Sequence, residues 1–406
     1  MTNVYDTLKE RGFVEQVSNE EGLRQALEQS ITCYIGYDPS AASLHAGSLL
    51  TIMALAHMQR AGHRPLVIVG GGTGMIGDPS GRSEMRQLLT PEKIDENRLA
   101  IKTQLSHYIT FDDERAMVLN NADWLLPLRY IEFLRDIGKH FSVNRMLTAE
   151  AYRSRLERGL SFLEFNYQLL QAFDYLTLYR RYGCVLQFGG NDQWCNILAG
   201  VDLVRRVEDA EVFALTFPLL TTASGAKMGK TAEGAIWLDA DLLSPFKYYQ
   251  YWINTEDADV ERFLKIYTFL PLDEIAALAS LQGAELRQAK ERLAYEATII
   301  SHGQAAADEA RQRSRELFGQ GAAEAAPTTT LNASELDDSI LVTELFCLAG
   351  LSRTRSEARR LIEQGGAYID GEAVDDVNLS IARRQLANEG LLLRAGKKRF
   401  QRLIAR

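Results

Sequence analysis

Two apolar segments that enclose one helical segment constrain the fold of this chain more than any other feature. Thr32–Tyr37 and the run that starts at Pro65 have the composition of short buried strands. Between them, the residues from His45 to Arg60 have helical spacing. A strand, a helix and a strand within about 35 residues form a βαβ unit, which has parallel strands and a right-handed crossover. The sequence therefore predicts an α/β domain built on a parallel sheet.

The junction between the first strand and the helix is a candidate phosphate site. Gly36 and Pro39 interrupt the strand, and His45 and Gly47 fall in the first turn of the predicted helix. Backbone N–H groups at a helix start lack intrahelical partners and bind anions, and an imidazole there can donate one more hydrogen bond. A surface turn with one exposed histidine explains this segment equally well, so the choice between the two depends on the rest of the sequence.

The second strand runs into a glycine-rich segment, Gly70–Arg82. Its spacing matches neither the dinucleotide-binding fingerprint nor a P-loop. Asp78 with Arg82 and Arg86 is either a solvated loop or a site for an amine and a phosphate, and we favour the second interpretation.

Two later segments have a similar character. A third strand, Gly183–Gly190, ends at two glycines, and Asn191 or Asp192 is expected to cap the helix that follows. Ser224–Thr231 carries two lysines among glycines, which is a weak signal alone but suits a mobile loop that closes over phosphates. Because the carboxyl ends of parallel strands meet at one edge of a sheet, these segments predict a shared ligand crevice.

Residues 90 to 180 are expected to be mainly helical and to interrupt the strand–helix alternation. Tyr167, Gln171 and Asp174 share one face of a helix, and such a polar stripe either meets partner groups or lines a pocket. Leu125–Phe141 is rich in Leu, Phe and Ile, which suits a subunit partner.

Bulk properties exclude several classes of protein. The 406 residues are too many for one ordinary core, and no apolar run reaches the roughly 18 residues needed to cross a bilayer. No signal peptide is visible, and a cytoplasmic location is expected. The cysteines are too widely spaced for a zinc cage or a disulfide framework, and this usage fits a reducing compartment: Cys33, Cys184, Cys195 and Cys347.

The carboxyl-terminal part differs in charge from the rest. Residues 337–406 carry twelve Lys and Arg and ten Asp and Glu, a balance of +2, whereas the preceding residues carry 33 and 44, a balance of −11. Two helices, Ile340–Leu348 and Thr354–Gln364, and a hairpin at Tyr368–Val374 are predicted here. A solvated surface is the common explanation of such basic clustering, but behind a linker it favours binding of an RNA backbone by Arg353, Arg355, Arg359, Arg360, Lys397 and Lys398.

With these motifs in place, nearly the whole chain resembles the bacterial tyrosyl-tRNA synthetases, a class I aminoacyl-tRNA synthetase family. Ser43–Ser48 is similar to the family's HIGH signature, and Lys227–Thr231 is similar to its KMSKS loop. The tyrosine assignment rests on Tyr34, Asp78, the Tyr167–Gln171–Asp174 stripe and Gly189–Trp194. The tail resembles a small RNA-binding module of a ribosomal small-subunit protein. Ser48 replaces the family's second HIGH histidine, and Asn191 replaces a serine.

The resemblance implies a Rossmann-like nucleotide-binding domain with a helical insertion, then a helical domain and a small α+β RNA-binding domain. The implied boundaries are 1–240 for the catalytic domain with its insertion at about 90–180, 241–320 for the anticodon-binding domain, 321–337 for a linker and 338–406 for the tail. A homodimer that pairs through residues 125–165 is also implied.

The implied activity is that of a tyrosine–tRNA ligase in protein synthesis. L-Tyrosine and ATP would form tyrosyl-adenylate and pyrophosphate, and the tyrosyl group would pass to the terminal ribose of tRNA(Tyr). ATP is then a substrate, Mg²⁺ arrives with it, and no protein metal site is expected. A tryptophanyl enzyme and a non-catalytic RNA-binding factor on a synthetase fold are the alternatives.

The resemblance also assigns site residues by position. Tyr34 and Asp174 would bind the phenol hydroxyl, and Asp78, Tyr167 and Gln171 the ammonium group, with Gln187 near the reacting carboxylate or the ribose. The ATP set is Gly36, Asp38, Ser40, His45, Gly47, Gly189, Asp192, Gln193, Lys227 and Lys230. The catalytic set, which acts by positioning and charge stabilisation and contains no nucleophile, is His45, Ser48, Thr51, Arg82, Arg86, Lys227, Lys230 and Thr231.

Overall fold

A computed structural model of the chain describes residues 3–39, 41, 43–78, 90–112, 114–148, 152–153, 156, 159–225, 228–231, 234–318, 327–332, 336–370, 372–387, 390–396 and 399–405. The chain divides into two compact units, Met1–Ala307 and Asp308–Arg406. No described helix is both long enough and apolar enough to span a bilayer.

A sheet of six strands organises the described part of the first unit, in the order β1–β6–β5–β2–β3–β4. The strands are β1 Gln16–Val17, β2 Thr32–Tyr37, β3 Arg64–Val69, β4 Met117–Asn120, β5 Cys184–Gly190 and β6 Phe213–Phe217. β2 to β6 pair in parallel, and β1 is antiparallel to β6. The predicted parallel α/β fold is confirmed. The strand order changes direction between β2 and β5, which is where open α/β sheets bind ligands.

The register across this switch point places side chains beside one another. Tyr34 on β2 is level with Leu66 on β3 and with Gln187 on β5. Both β2 and β3 are almost entirely buried, in keeping with their continuous apolar sequences. A 3₁₀ turn, Ala46–Ser48, then leads into the helix of the βαβ unit, and His45 is the residue that precedes this turn.

Helices cover the sheet and form the segment between β3 and β5. They are α1 Val4–Glu10, α2 Glu20–Ala26, α3 Leu49–Arg60, α4 Pro91–Leu105, α5 Ala122–Leu125, α6 Tyr130–Asp136, α7 Val143–Met146, α8 Phe162–Phe165, α9 Tyr167–Tyr182 and α10 Trp194–Glu208. The expectation that residues 90 to 180 are mainly helical missed β4, which pairs with β3 inside this segment.

The remainder of the first unit begins with a short hairpin of β7 Lys230–Thr231 and β8 Gly234–Ala235. The helices that follow are α11 Pro245–Ile253, α12 Val260–Tyr267, α13 Leu272–Ala279 and α14 Leu286–His302. α15 Gln304–Phe318 begins in this unit, and its residues from Asp308 onward belong to the second unit. Tyr248 and Trp252 are fully buried and pack edge to face on each other. Trp252 also meets Phe263 edge to face, and Phe263 meets Tyr267 in the same way, so these aromatics form part of the core.

The second unit has its own apolar core. Its described strands are β9 Thr328–Leu331, β10 Ser339–Leu341, β11 Ala367–Ile369, β12 Glu372–Ala373, β13 Ser380–Ala382, β14 Leu391–Ala395 and β15 Arg399–Ala405, with helices α16 Val342–Leu348 and α17 Arg355–Glu363. The predicted hairpin is β11 with β12. Thr354, the first residue of the second predicted helix, caps α17 by accepting a hydrogen bond from the Glu357 backbone.

The predicted linker, 321–337, contains a strand. β9 pairs in parallel with β15 at the edge of the sheet, so Thr328–Leu331 is part of the second unit's fold. Residues 319–326 and 333–335 lie outside the described residues. The boundaries at 240, 320 and 337 stay predictions.

Candidate active site

A cavity of about 720 Å³ opens at the carboxyl ends of β2, β3 and β5. It gathers the residues predicted to bind tyrosine or ATP or to act in catalysis whose side chains the structure describes: Tyr34, Gly36, Asp38, His45, Gly47, Ser48, Thr51, Asp78, Tyr167, Gln171, Asp174, Gln187, Gly189, Asp192 and Gln193. The polar stripe of α9 therefore lines a pocket, and one of its members, Asp174, also meets partner groups, so both explanations that the sequence left open apply.

Other predicted residues are outside what the structure describes. They are Ser40, Arg82, Arg86, Lys227, Lys397 and Lys398. For Lys230 and Thr231 the structure describes only the backbone, as β7.

Tyr34 and Asp174 lie together at the buried end of the cavity. Both residues are at least 96% buried, and the Tyr34 hydroxyl has no hydrogen-bond partner among the described residues. Burial, and then the nearby Asp174 carboxylate, raise the pKa of Tyr34, so its hydroxyl keeps its proton. The ring of Tyr34 packs edge to face on Tyr175 at 5.3 Å, which fixes its direction. This end of the cavity offers a donor next to an acceptor.

Two residues that the sequence did not reveal hold the Asp174 carboxylate. Trp124 Nε1 donates to Oδ1 at 2.7 Å, and Asn121 Nδ2 donates to Oδ2 at 2.9 Å. Burial raises the pKa of Asp174 to about 7, and these two donors oppose the rise. Asn121 directly follows β4, so recognition of that strand would have placed it at the ligand edge of the sheet.

A second carboxylate, Asp78, lies at another part of the cavity. Its Oδ2 accepts a hydrogen bond from Gln193 Nε2 at 2.6 Å, and Asn196 donates to Gln193 Oε1 at 3.3 Å. Gln193, which was assigned to the nucleotide, therefore bonds directly to a residue assigned to the amino acid.

The segment after Gly190 corrects one expectation. Neither Asn191 nor Asp192 caps α10, because a 3₁₀ turn, Asn191–Gln193, intervenes and no side-chain cap is formed. Asn191 Oδ1 instead accepts hydrogen bonds from Gln16 and Thr216, and so ties β1 to β6.

The turn at His45 is fixed by its own backbone. His45 Nδ1 accepts a hydrogen bond from the Gly47 N–H at 3.0 Å, so the neutral ring carries its proton on Nε2 and can donate from there. A Cβ on Gly47 would lie 2.8 Å from the carbonyl oxygen of Met228, so only glycine fits. Thr51 donates to the Ser48 carbonyl oxygen and contacts the Tyr37 hydroxyl, while the Ser48 side chain caps no helix.

The second unit presents arginines along α17. Arg353, Arg355, Arg359 and Arg360 are exposed, and Arg355 pairs with Glu344 at 2.8 Å. Arg394, absent from the predicted set, stacks 3.7 Å from the ring centroid of Tyr368.

Comparisons with known proteins cover the whole chain. Residues 25–319 match the family model of class I tRNA synthetases (W and Y), and residues 318–403 match that of the tyrosine–tRNA ligase SYY-like C-terminal domain. The chain is 51% identical over 407 residues to a tyrosine–tRNA ligase of Clostridium botulinum, with 100% of each chain covered. It is 53% identical over 429 residues to one from Desulfosudis oleivorans, covering 100% of this chain and 99% of the relative.

Among solved structures, a C-terminally truncated mitochondrial tyrosyl-tRNA synthetase of Aspergillus nidulans aligns with a TM-score of 0.71 and 32% identity, covering 78% of this chain and 95% of the other. A tryptophanyl-tRNA synthetase of Encephalitozoon cuniculi aligns with a TM-score of 0.56 at 16% identity, covering 76% and 87%, which is a likeness of fold alone.

Proposed function

Because this chain belongs to the tyrosine–tRNA ligases, within the class I tRNA synthetases, we propose that its cavity activates tyrosine with ATP and then transfers the tyrosyl group to tRNA. The observation that carries the proposal is the buried pair of Tyr34 and Asp174, whose hydroxyl and carboxylate are a donor and an acceptor at the closed end of the cavity. A substrate phenol can accept from Tyr34 and donate to Asp174.

The pair of Tyr34 and Asp174 would account for selectivity for tyrosine over phenylalanine and tryptophan. Phenylalanine would leave the buried Tyr34 hydroxyl without a partner and would deprive Asp174 of the bond from the phenol, at a cost of about 1–3 kcal/mol for an unsatisfied buried group. An indole N–H could donate to Asp174, but it offers no oxygen to accept from Tyr34. The geometry therefore favours tyrosine over phenylalanine and tryptophan.

The ammonium and carboxylate of the substrate need separate groups. Asp78 supplies the charge that an ammonium requires, with Tyr167 and Gln171 beside it on the cavity wall. Gln193 fixes the Asp78 carboxylate, and Gln187 has a buried Oε1 with no partner among the described residues. These side chains would hold the amino acid so that its carboxylate faces the nucleotide.

ATP would occupy the wider part of the cavity. We assign its contacts to Gly36, Asp38, Gly189, Asp192 and the turn of His45 and Gly47, with Ser48, Thr51 and the Lys227–Thr231 loop at the phosphates. Ser40, Arg82 and Arg86 keep the roles that the resemblance gave them. Mg²⁺ prefers phosphate oxygens, so we assign it to ATP.

The chemistry needs positioning more than side-chain reactivity. A tyrosine carboxylate oxygen attacks the α-phosphorus of ATP in line, and the bond from phosphorus to the bridging oxygen of pyrophosphate breaks. A terminal ribose hydroxyl of tRNA then attacks the tyrosyl carbonyl, and AMP leaves. His45 Nε2 and the loop lysines would stabilise charge on the phosphates.

Subunit association and RNA binding extend the proposal. Leu126, Tyr130, Ile131 and Phe162 are 63%, 60%, 72% and 68% exposed, which supports pairing of two copies through residues 125–165. The arginines of α17 would hold the tRNA backbone. Because tRNA and ATP are cytoplasmic substrates, we propose that the chain acts there.

ATP–pyrophosphate exchange with tyrosine, phenylalanine and tryptophan, each tested separately, examines the assignment. Exchange that depends on tyrosine is the expected result. Faster exchange with tryptophan would favour the tryptophanyl alternative, and no exchange with any of the three would favour a non-catalytic RNA-binding protein. Sedimentation at micromolar concentration tests the dimer.

A further inference from the structure

The lysine-bearing loop is attached to the helical region by a buried side chain. Met228, in the middle of this loop, is 5% exposed, and its sulfur accepts a hydrogen bond from the Tyr251 hydroxyl at 3.1 Å. Tyr251 lies on α11, which packs against α14. A glycine-rich loop between two lysines normally exposes its side chains, so burial of this methionine against one phenol is a specific attachment.

Met228 and Gly229 also lie against the turn formed by His45 and Gly47. The Gly229 carbonyl oxygen accepts from the Ile236 N–H at 2.9 Å, and the Ile236 carbonyl oxygen accepts from the Ala46 N–H at 2.8 Å. The Met228 carbonyl oxygen is the atom that a side chain on Gly47 would strike. Met228 and Gly229 therefore connect Tyr251 to the His45–Gly47 turn.

A second attachment holds the start of the loop. Asp259 Oδ2 accepts from the Ala223 N–H at 2.8 Å, and Arg262 donates to Asp259 Oδ1 at 2.5 Å. Ser224 donates to Glu256 Oε1 at 2.6 Å. The anchoring residues all come from 251–262, just after the predicted boundary of the catalytic domain.

We propose that Tyr251 is a positioning residue for adenylate formation, which acts by holding Met228 and thereby the two loop lysines beside the His45 turn. Lys227 and Lys230 are one and two residues from Met228 in the sequence, so an anchor on Met228 limits how far the chain that carries them can move. An anchor at Met228 reduces the number of positions that the lysine side chains can take when they contact the phosphates of ATP. Without the anchor, the lysines would spend more time in positions that do not support the reaction. The inference rests on the proposed function, since the lysines matter only if ATP is the substrate.

Burial raises the pKa of Tyr251 to about 12, and the backbone of Gly229 opposes this rise. The hydroxyl is therefore protonated throughout the working pH range and can donate to sulfur at every pH used for assay. A phenylalanine at this position keeps the ring and removes the hydroxyl, both as the donor to the Met228 sulfur and as the acceptor from the Gly229 backbone. Leucine at position 228 keeps the volume and removes only the acceptor.

The test compares Tyr251→Phe, Met228→Leu and their combination with Tyr248→Phe. Tyr248 is the matched control, because it lies on the same helix, is buried, and bonds through its hydroxyl to Ser301 rather than to the loop. Tyrosine-dependent pyrophosphate exchange gives kcat and the KM values for ATP and tyrosine. Hydrogen exchange of amides 221–231 reports the mobility of the loop directly.

We expect Tyr251→Phe and Met228→Leu each to lower kcat about fivefold, with the KM for tyrosine unchanged and faster amide exchange in the loop. The double variant should match Tyr251→Phe, since Met228→Leu removes only the bond to sulfur, which Tyr251→Phe has already removed. Tyr248→Phe should lower the melting temperature and leave kcat and loop exchange as in the wild type. Wild-type kinetics for Tyr251→Phe, an additive double variant, or an equal effect of Tyr248→Phe would overturn the proposal. A wild-type chain without tyrosine-dependent exchange would instead refute the proposed function, and the amide-exchange comparison would still test the anchor.

Discussion

Trp124 donates its indole N–H to the carboxylate of Asp174 at 2.7 Å, across a separation of fifty residues in the chain. Trp124 lies in α5, the short helix just after β4, and Asp174 belongs to the long helix α9, so the bond forms only when both parts of the chain are in place. This contact fixes the oxygen that would receive a substrate phenol.

Replacement of Trp124 by phenylalanine should weaken tyrosine binding. The carboxylate loses one of two donors and its direction, and we expect the Kd for tyrosine to rise about tenfold, the range for a hydrogen bond to a charged group. Equilibrium dialysis measures this constant, and the KM for ATP is the internal control. An unchanged Kd would mean that Asn121 alone orients Asp174.

Tyrosine affinity should depend on pH near neutrality. Burial raises the pKa of Asp174 to about 7 in the free protein, and only the ionised form accepts from the phenol, so acid removes the competent state. Binding to that form alone makes the apparent Kd about tenfold larger at pH 6 than at pH 8.

Titration calorimetry at pH 6 in buffers of different ionisation enthalpy provides the check. Binding of tyrosine should release close to one proton at pH 6 and almost none at pH 8. Proton uptake at pH 6 would have the opposite sign and would show that the protonated carboxyl is the binding form.

Replacement of Gly47 by alanine should damage the nucleotide half of the site selectively. The new methyl group would lie 2.8 Å from the Met228 carbonyl oxygen and 2.9 Å from His45 Nδ1, so either the loop or the imidazole must move. We expect kcat/KM for ATP to fall by at least about tenfold while the Kd for tyrosine stays constant. Gly138→Ala is the control, because its methyl group would meet only Leu134 at an ordinary 3.5 Å.

Replacement of Ser48 by alanine should have a small and purely kinetic effect. The Ser48 hydroxyl makes no capping hydrogen bond, so the melting temperature should not change. Exchange should slow about two- to fivefold if the hydroxyl contacts a phosphate. Ser48→His, which restores the family's usual residue, should not slow exchange. A large loss of tyrosine affinity in Ser48→Ala would show that this residue has been misassigned.

The arginines of α17 should contribute unequally to tRNA binding. Arg355 already pairs with Glu344 at 2.8 Å and must give up this partner, whereas the exposed Arg359 pairs with no carboxylate among the described residues. Arg359→Gln should therefore weaken tRNA binding more than Arg355→Gln and lower the salt dependence by about one unit. Filter binding across a salt series measures both effects. Tyrosine-dependent exchange without tRNA should be the same for both variants and the wild type.

Local patterns in the sequence predicted most of the sheet and the lining of the cavity. β2 was predicted with its observed bounds, and β3 was displaced by one residue, because each is a short, mainly apolar run with a glycine at or next to its end. Because the carboxyl ends of parallel strands meet at one edge of a sheet, the sequence also predicted one shared crevice, and Tyr34, Asp78 and Asp192 do line one cavity.

The missed features depend on partners that are distant in sequence. β4 has four residues of intermediate burial within a helical segment, and only its pairing with β3 makes it a strand. Without β4, neither Asn121 nor Trp124 could be placed beside Asp174. Asn191 has the composition of a helix cap, but bonds to Gln16 and Thr216 compete for its side chain. Tyr251 sits among core aromatics, and its contact with Met228 has no signature in spacing.

The support of Asp174 from outside the cavity has a consequence for protein engineering. The groups that would touch an amino acid, Tyr34 and Asp174, are distinct from those that fix the carboxylate, Asn121 and Trp124. A mutant library that varies only Tyr34 and Asp174 would leave the buried N–H donors of Asn121 and Trp124 directed at the side chain that replaced the Asp174 carboxylate. Redesign for a para-substituted phenylalanine should therefore vary all four positions together, with apolar partners for any apolar substituent.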